Sequence, residues 1–319
     1  MNGGSAPAVR TLNLVKRYGP TTALAGLTMT VQRGEIFGFL GPNGAGKTTA
    51  VKLLVGLTRP TAGEAWVLGA PIGDRETRRR VGYLPELFRY QDWLSAREVL
   101  RLHCRLAGIP RQRHDAEIAH ALETVGLAQR ADSRVGTFSK GMQQRLGLGV
   151  ALLGQPDLIF LDEPTSALDP VGRADVRQIV RGLKERGATV FLNSHLLSEV
   201  EQVCDRVAVV DKGRVITEGS IAEVIGGSNA VRLRIPDASA GVRAALARYG
   251  PLTSEGDWHT VNNVNEAQIP ALVADVVSLG GQVYAVEPRH DTLEDRFLQL
   301  LREPSQEREE MWQSGEVTR

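Results

Sequence analysis

The stretch Gly41-Pro42-Asn43-Gly44-Ala45-Gly46-Lys47-Thr48 constrains this chain more than any other. It satisfies every fixed position of the G-x-x-x-x-G-K-[ST] phosphate-loop pattern. Its neighbours agree. Ile36-Phe37-Gly38-Phe39-Leu40 is short and apolar, which predicts a buried strand. Thr49-Ala50-Val51-Lys52-Leu53-Leu54-Val55 predicts a helix. Strand, glycine loop and helix together turn a pattern into a site. Glycines let backbone N–H groups curl around a polyphosphate, and the positive end of the following helix dipole adds to the attraction. Lys47 is placed to reach the β- and γ-phosphates, and Thr48 to set its hydroxyl on Mg2+.

The rest of the composition is ordinary for a globular protein, 42% hydrophobic and 24% charged over 319 residues, enough for two domains. A net charge of +1 gives no electrostatic support to wholesale nucleic-acid binding, so no nucleic-acid partner is expected. Cys104 and Cys204 lie far apart and suggest neither a metal site nor a disulfide framework. No run approaches the roughly 18–20 apolar residues that span a bilayer. The first residues lack the charged start and apolar segment of a signal peptide. A cytoplasmic location follows, and any membrane part must come from a partner.

Along the chain, 11–15 reads as an edge strand and 24–31 as a second strand, a small antiparallel flank to an α/β core. From residue 86 to about 153 the texture is helical and interrupts the α/β pattern as an inserted subdomain. Val99, Leu102 and Leu106 are expected to form an apolar stripe on a helix over 92–107. Ile118, Leu122 and Val125 are expected to do the same on the next helix. Leu158-Ile159-Phe160-Leu161 is a continuous apolar run suited to a parallel sheet. The first domain is set at 1–228. A β-α-β-α-β pattern over 229–302 predicts a small α+β domain, and the polar, charged 303–319 predicts a disordered tail.

Asp162 ends the apolar run, where a carboxylate can hold Mg2+ directly or through water, and Glu163 beside it could polarise an attacking water. Phe138-Ser139-Lys140-Gly141-Met142-Gln143-Gln144-Arg145 precedes them. At this point the chain resembles the ATP-binding subunit of an ABC transporter, of the drug-resistance and export type that pairs with a separate permease. The family segment reads L-S-G-G-Q before a basic helix. Ser139, Gly141 and Arg145 keep it; Phe138, Lys140 and Met142 depart. The resemblance covers about residues 9–225 and is weaker in the C-terminal unit.

The resemblance implies a P-loop ATPase core, a RecA-like sheet with antiparallel flank and helical subdomain, followed by a small α+β domain. It implies ATP and Mg2+, with nucleotide contacts from Gly41 through Thr49, from Tyr18 stacking on adenine, and from Asp162. It implies that Ser139 and Gly141 cap the γ-phosphate bound by a second nucleotide-binding subunit, most simply a second copy. Catalytic roles fall to Lys47, Glu163 and the switch histidine His195, and metal contacts to Thr48 and Asp162. Ser166-Ala167-Leu168-Asp169 matches the dimer-contact loop. Glu86 stands where the family has a metal-contacting Gln. It can approach Mg2+ but adds negative charge beside the phosphates. The expected function is ATP hydrolysis that powers export through a permease at the inner face of the membrane. A soluble ABC-type ATPase of translation or DNA repair is the alternative.

Residues 75–113 hold ten arginines against Glu76, Glu86, Asp92 and Glu98. Arg97, Arg101 and Arg105 recur every four residues, which predicts a basic helix face beside Phe88, Tyr90 and Trp93. This face is either simply solvated or a docking surface for the permease, near anionic lipid headgroups.

Overall fold

A computed structural model describes residues 6–166, 168–226, 229–290 and 292–302. The chain divides into two compact units after Ser220, the second running Ile221–Arg302. The expected tail, 303–319, lies outside the described residues.

The first unit opens with β1 (Val9–Tyr18), β2 (Thr21–Val31), β3 (Ile36–Leu40) and α1 (Lys47–Leu54). There follow β4 (Ala62–Val67), β5 (Ala70–Pro71), α2 (Arg75–Arg78) and β6 (Val81–Leu84). The helical insert is α3 (Ala96–Leu106), α4 (His114–Thr124) and α5 (Lys140–Ala151). The chain returns through β7 (Leu158–Asp162), α6 (Pro170–Glu185), β8 (Thr189–Asn193) and α7 (Leu197–Val203). The hairpin β9 (Arg206–Asp211) and β10 (Arg214–Ser220) closes the unit.

Six strands form the central sheet in the order β10-β9-β3-β8-β7-β6, parallel except for β10. Every residue of β3, β7 and β8 is buried, as strands covered on both faces require. Phe191 packs against Phe37, Phe39 and Phe160 with ring centroids 5.1–5.8 Å apart. These tilted aromatic contacts weld neighbouring strands beneath the phosphate loop.

A second, antiparallel sheet runs β2-β1-β4-β5. The strand expected at its edge, β1, is interior, paired on both sides with β2 and β4. Its sequence hides this because a bulge lies between Thr11 and Leu14, where Asn13 takes a φ of 47°. The bulge shifts the alternation by one residue, so a two-sided strand reads as a weak one.

The insert corrects the expected apolar stripe. Ser95 caps α3 in a capping box with Glu98, so the helix begins at Ala96 rather than near residue 92. Its buried face is Ala96, Val99, Leu100 and Cys104, packed toward α4 and α5. Leu102 and Leu106 are 38% and 73% exposed. On α4 the expected face holds: Ile118, Leu122 and the following Val125 are buried.

The second unit holds α8 (Ile221–Ile225), β11 (Asn229–Arg234), α9 (Ala240–Ala247), β12 (Leu252–Glu255), β13 (Trp258–Asn262), α10 (Ile269–Ser278), β14 (Ala285–His290) and α11 (Leu293–Arg302). Its antiparallel sheet runs β12-β13-β11-β14. Counted from β11, this is a β-α-β-β-α-β unit of ferredoxin-like topology. Strand β12 was not expected from the sequence. It is an edge strand whose last three residues are exposed, so it has no apolar period to read.

Candidate functional site

The phosphate loop joins β3 to α1, and its glycines answer to specific crowding. A Cβ on Gly46 would lie 2.3 Å from the Ala23 carbonyl oxygen, and its φ of +99° favours glycine besides. A Cβ on Gly41 would lie 2.4 Å from the Val210 carbonyl oxygen. Lys47 Nζ donates to the Gly41 and Pro42 carbonyls at 2.7 and 3.2 Å, so its ammonium is held inside the loop. Burial pushes the Lys47 pKa down, against the pull of Glu163, Asp162 and Glu86.

The loop opens onto a cavity of about 570 Å3. Asn43, Gly44, Gly46, Lys47, Thr48 and Thr49 line one side, and Glu86, Glu163, Asn193 and His195 the other. Four segments, after β3, β6, β7 and β8, thus meet where the chain predicts a polyphosphate site, at the carboxyl ends of parallel strands. Asp162 is fully buried beside it. Burial raises its pKa, and a hydrogen bond from Asn193 Nδ2 to Oδ1 pulls the other way. Its Oδ2 is buried without a hydrogen-bond partner. Three carboxylates, Asp162, Glu86 and Glu163, against Lys47 and Lys52 leave the site short of positive charge. Hard oxygen donors in that setting fit Mg2+.

Glu163 takes a φ of 53°, a conformation that costs a non-glycine residue about 1–3 kcal/mol. The surroundings hold it there. Its N–H donates to the Asn193 carbonyl at 2.9 Å, and its carbonyl accepts from the Ser166 hydroxyl at 3.1 Å. The strained turn aims the carboxylate at His195, with Oε2 2.6 Å from Nδ1. Burial raises the Glu163 pKa, and the contact with His195 opposes that rise.

Not every expected residue lines this cavity. Ser139 and Gly141 lie in a separate hollow of about 540 Å3 with Arg145, Leu168 and Asp169. There Ser139 caps α5 by accepting from the Met142 N–H at 3.2 Å, and Arg145 pairs with Asp175 at 2.7 Å. Tyr18 is half exposed at the turn between β1 and β2, with Lys16 Nζ 4.9 Å above its ring. It does not line the cavity, although Thr21, Thr22 and Ala23 of the same hairpin do.

Two positions escaped the sequence reading. Asn193 grips Asp162, yet a neutral residue ending a strand carries no distinctive pattern. Gly213, in the β9–β10 turn, donates its N–H to Ala45 and accepts from Ala25, both at 3.0 Å. It braces the phosphate loop from far along the chain, in a stretch, Asp211-Lys212-Gly213, that by itself signals only a turn.

The expected basic face on α3 also changes. Arg97 pairs with Asp132 at 2.7 Å and Arg101 with Asp115 at 2.9 Å. Both acids lie beyond the window in which the arginines cluster, so the charge surplus is smaller than that window suggests.

Comparison with known proteins identifies the family. The family described as ABC transporter matches residues 24–166. An ABC transporter ATP-binding protein of Synechocystis sp. is 42% identical over 88% of this chain and 79% of its own length. The daunorubicin/doxorubicin resistance ATP-binding protein DrrA of Streptomyces peucetius is 40% identical over 76% of this chain and 75% of its own. The solved structure of a dimeric ATP-binding cassette, in a post-hydrolysis state with ADP and Pi, matches with a TM-score of 0.61 and 25% identity. It covers 66% of this chain and 98% of that one. With its phosphate loop, its α/β architecture and these relatives in agreement, the chain belongs to the ATP-hydrolysing, ATP-binding proteins of the ABC transporter family.

Proposed function

We propose that this chain powers export through a separate membrane-spanning permease, and that two copies close over two ATP molecules. The observation that carries the reading is the division of the machinery. One cavity gathers Lys47, Thr48, Glu86, Glu163 and His195, while Ser139 and Gly141 sit in another hollow of the same chain. A γ-phosphate in the first cavity lacks the second group until another subunit brings it across. The relatives include a drug-resistance protein and a dimeric cassette, which supports both halves of the reading.

In the closed site, the loop from Gly41 to Thr49 cradles the phosphates through backbone N–H groups, and Lys47 neutralises their charge. Tyr18 lies against the adenine. Thr48, Asp162 through its free Oδ2, and Glu86 would hold Mg2+, which supplies positive charge to the β- and γ-phosphate oxygens. Glu163 accepts a proton from the attacking water. His195 holds the Glu163 carboxylate and orients the γ-phosphate. Ser139 and Gly141 of the second copy offer a hydroxyl, backbone N–H groups and a helix N-terminus to the same phosphate.

The permease contact falls on the insert. Directly after Glu86, Leu87 is 87% exposed, and Trp93 is 71% exposed. Large apolar side chains so exposed, a few residues from the nucleotide cavity, suit a partner's cytosolic segment. The protein then sits at the inner face of the membrane through its partner. Among the described residues no helix is long and apolar enough to cross a bilayer itself.

Glu163→Gln should cut turnover at least ~100-fold while leaving ATP binding intact, because it removes the base and keeps the shape. Near-normal turnover would assign the base elsewhere. Affinity purification from native membranes should bring down a multi-spanning protein. Recovery of ribosomes or DNA-repair proteins in its place would favour a soluble ABC ATPase.

A further inference from the structure

The insert neutralises some of its arginines and leaves others. Arg101 is held by Asp115, and Arg113 by Glu117, whose other oxygen accepts the Gly154 N–H at 3.1 Å. The acids at the corner between α3 and α4 are thereby used. The side chains of Arg105 and Arg111 are exposed and make no ion pair or hydrogen bond among the described residues. They border a hollow of about 630 Å3 with Arg101, Ile109, His114 and Asp115. His114 is buried in its wall, its ring fixed by a 2.8 Å contact between Nε2 and the Ile109 carbonyl. One row further around α3 from Arg105 lie the exposed Leu102 and Leu106.

We propose that this corner binds the phosphate of anionic phospholipid headgroups, so that the insert itself touches the bilayer surface. Guanidinium groups match phosphate oxygens in charge and in fork geometry. Two unpaired arginines bordering one hollow supply that chemistry. A free phosphate would use the arginines and leave the adjoining leucines without a role. A phospholipid uses both, with the headgroup in the hollow and the apolar row against the interface. The contact is independent of the permease. It would hold the chain near the membrane in the partner's absence.

The test is co-sedimentation of the full chain with vesicles, alongside ATPase measurements. Phosphatidylcholine vesicles with about a third phosphatidylglycerol should bind it, and pure phosphatidylcholine should not. Arg105→Gln with Arg111→Gln should weaken binding about 30-fold and leave basal turnover unchanged. Leu106→Ser should weaken it further. A control pair of exposed arginines elsewhere, Arg186→Gln with Arg243→Gln, should bind as wild type does. Equal loss in the control pair would reduce the effect to general charge, and unaltered binding by the Arg105/Arg111 variant would refute the site. Saturable binding of inorganic phosphate without any vesicle preference would make it a free-anion site. Photocrosslinking from position 111 to a membrane protein rather than to lipid would assign the hollow to an acidic protein segment.

Discussion

In the proposed mechanism, Glu163 and His195 rest the water-activating step on one strained residue. The contact with His195 lowers a Glu163 pKa that burial raises. A base works only when ionised, so turnover should rise with pH through that raised value. His195→Ala removes the opposing contact and should shift the acid limb of the kcat profile to higher pH, in addition to lowering kcat. A limb that stays in place would separate the histidine from the base. Asp162 makes the companion case for stability. Its carboxyl is buried with one oxygen unpartnered, and burial raises its pKa. The folded state therefore holds a proton that the unfolded state has released, and stability falls as pH rises from the ordinary carboxylate value through the raised one. Asp162→Asn removes that cost. It should raise Tm by several degrees at pH 8, by little at pH 4, and lower turnover, measured by thermal melts beside ATPase assays. Lys47, Asp162 and Glu163 were legible in the sequence because fixed spacing and an apolar strand point to them. Asn193 was not, because a neutral amide shows its worth only once Asp162 is seen beside it.

At the scale of elements, legibility followed burial pattern. Strands β3, β7 and β8 are buried along their whole length and stand out as apolar runs. Strand β1 looked peripheral because a bulge breaks its period, and β12 escaped notice because water covers most of it. Helix α3 misled for another reason. Its leucines at 102 and 106 face outward, and the buried row passes through Ala96, Leu100 and Cys104. Composition alone does not tell an exposed leucine from a core one. The hairpin of β9 and β10 is the clearest case of an element whose use depends on what it touches. Gly213 has a φ of 76°, and a Cβ there would lie 2.6 Å from the Leu24 Cα. Gly213→Ala should therefore displace the loop that holds Ala45. Its KM for ATP should rise about tenfold, with a smaller change in kcat, in steady-state assays. An unchanged KM would mean that the phosphate loop keeps its shape without the brace.

At the scale of the molecule, the two hollows make a prediction about mass. If Glu163 is the base, Glu163→Gln should hold ATP without hydrolysing it, and with ATP it should sediment at twice the 34.6 kDa of the chain. Adding Ser139→Glu would, in the proposed dimer, place a like charge against the γ-phosphate. The double variant should bind ATP and remain a monomer. A dimer that survives would put the contact elsewhere. The partition of motifs was readable from their order, whereas the separation of their cavities needed the fold. The brace at Gly213 adds a sense of direction. Strand β10, which begins just after that turn, is also the last strand before the chain enters the second unit at Ile221. Tension transmitted along the backbone from that unit would reach β10 first, and through its turn the hydrogen bond to Ala45. The accessory unit is thereby wired in series with the nucleotide grip: whatever tugs on it has, by covalent connection alone, a short mechanical path to the phosphates.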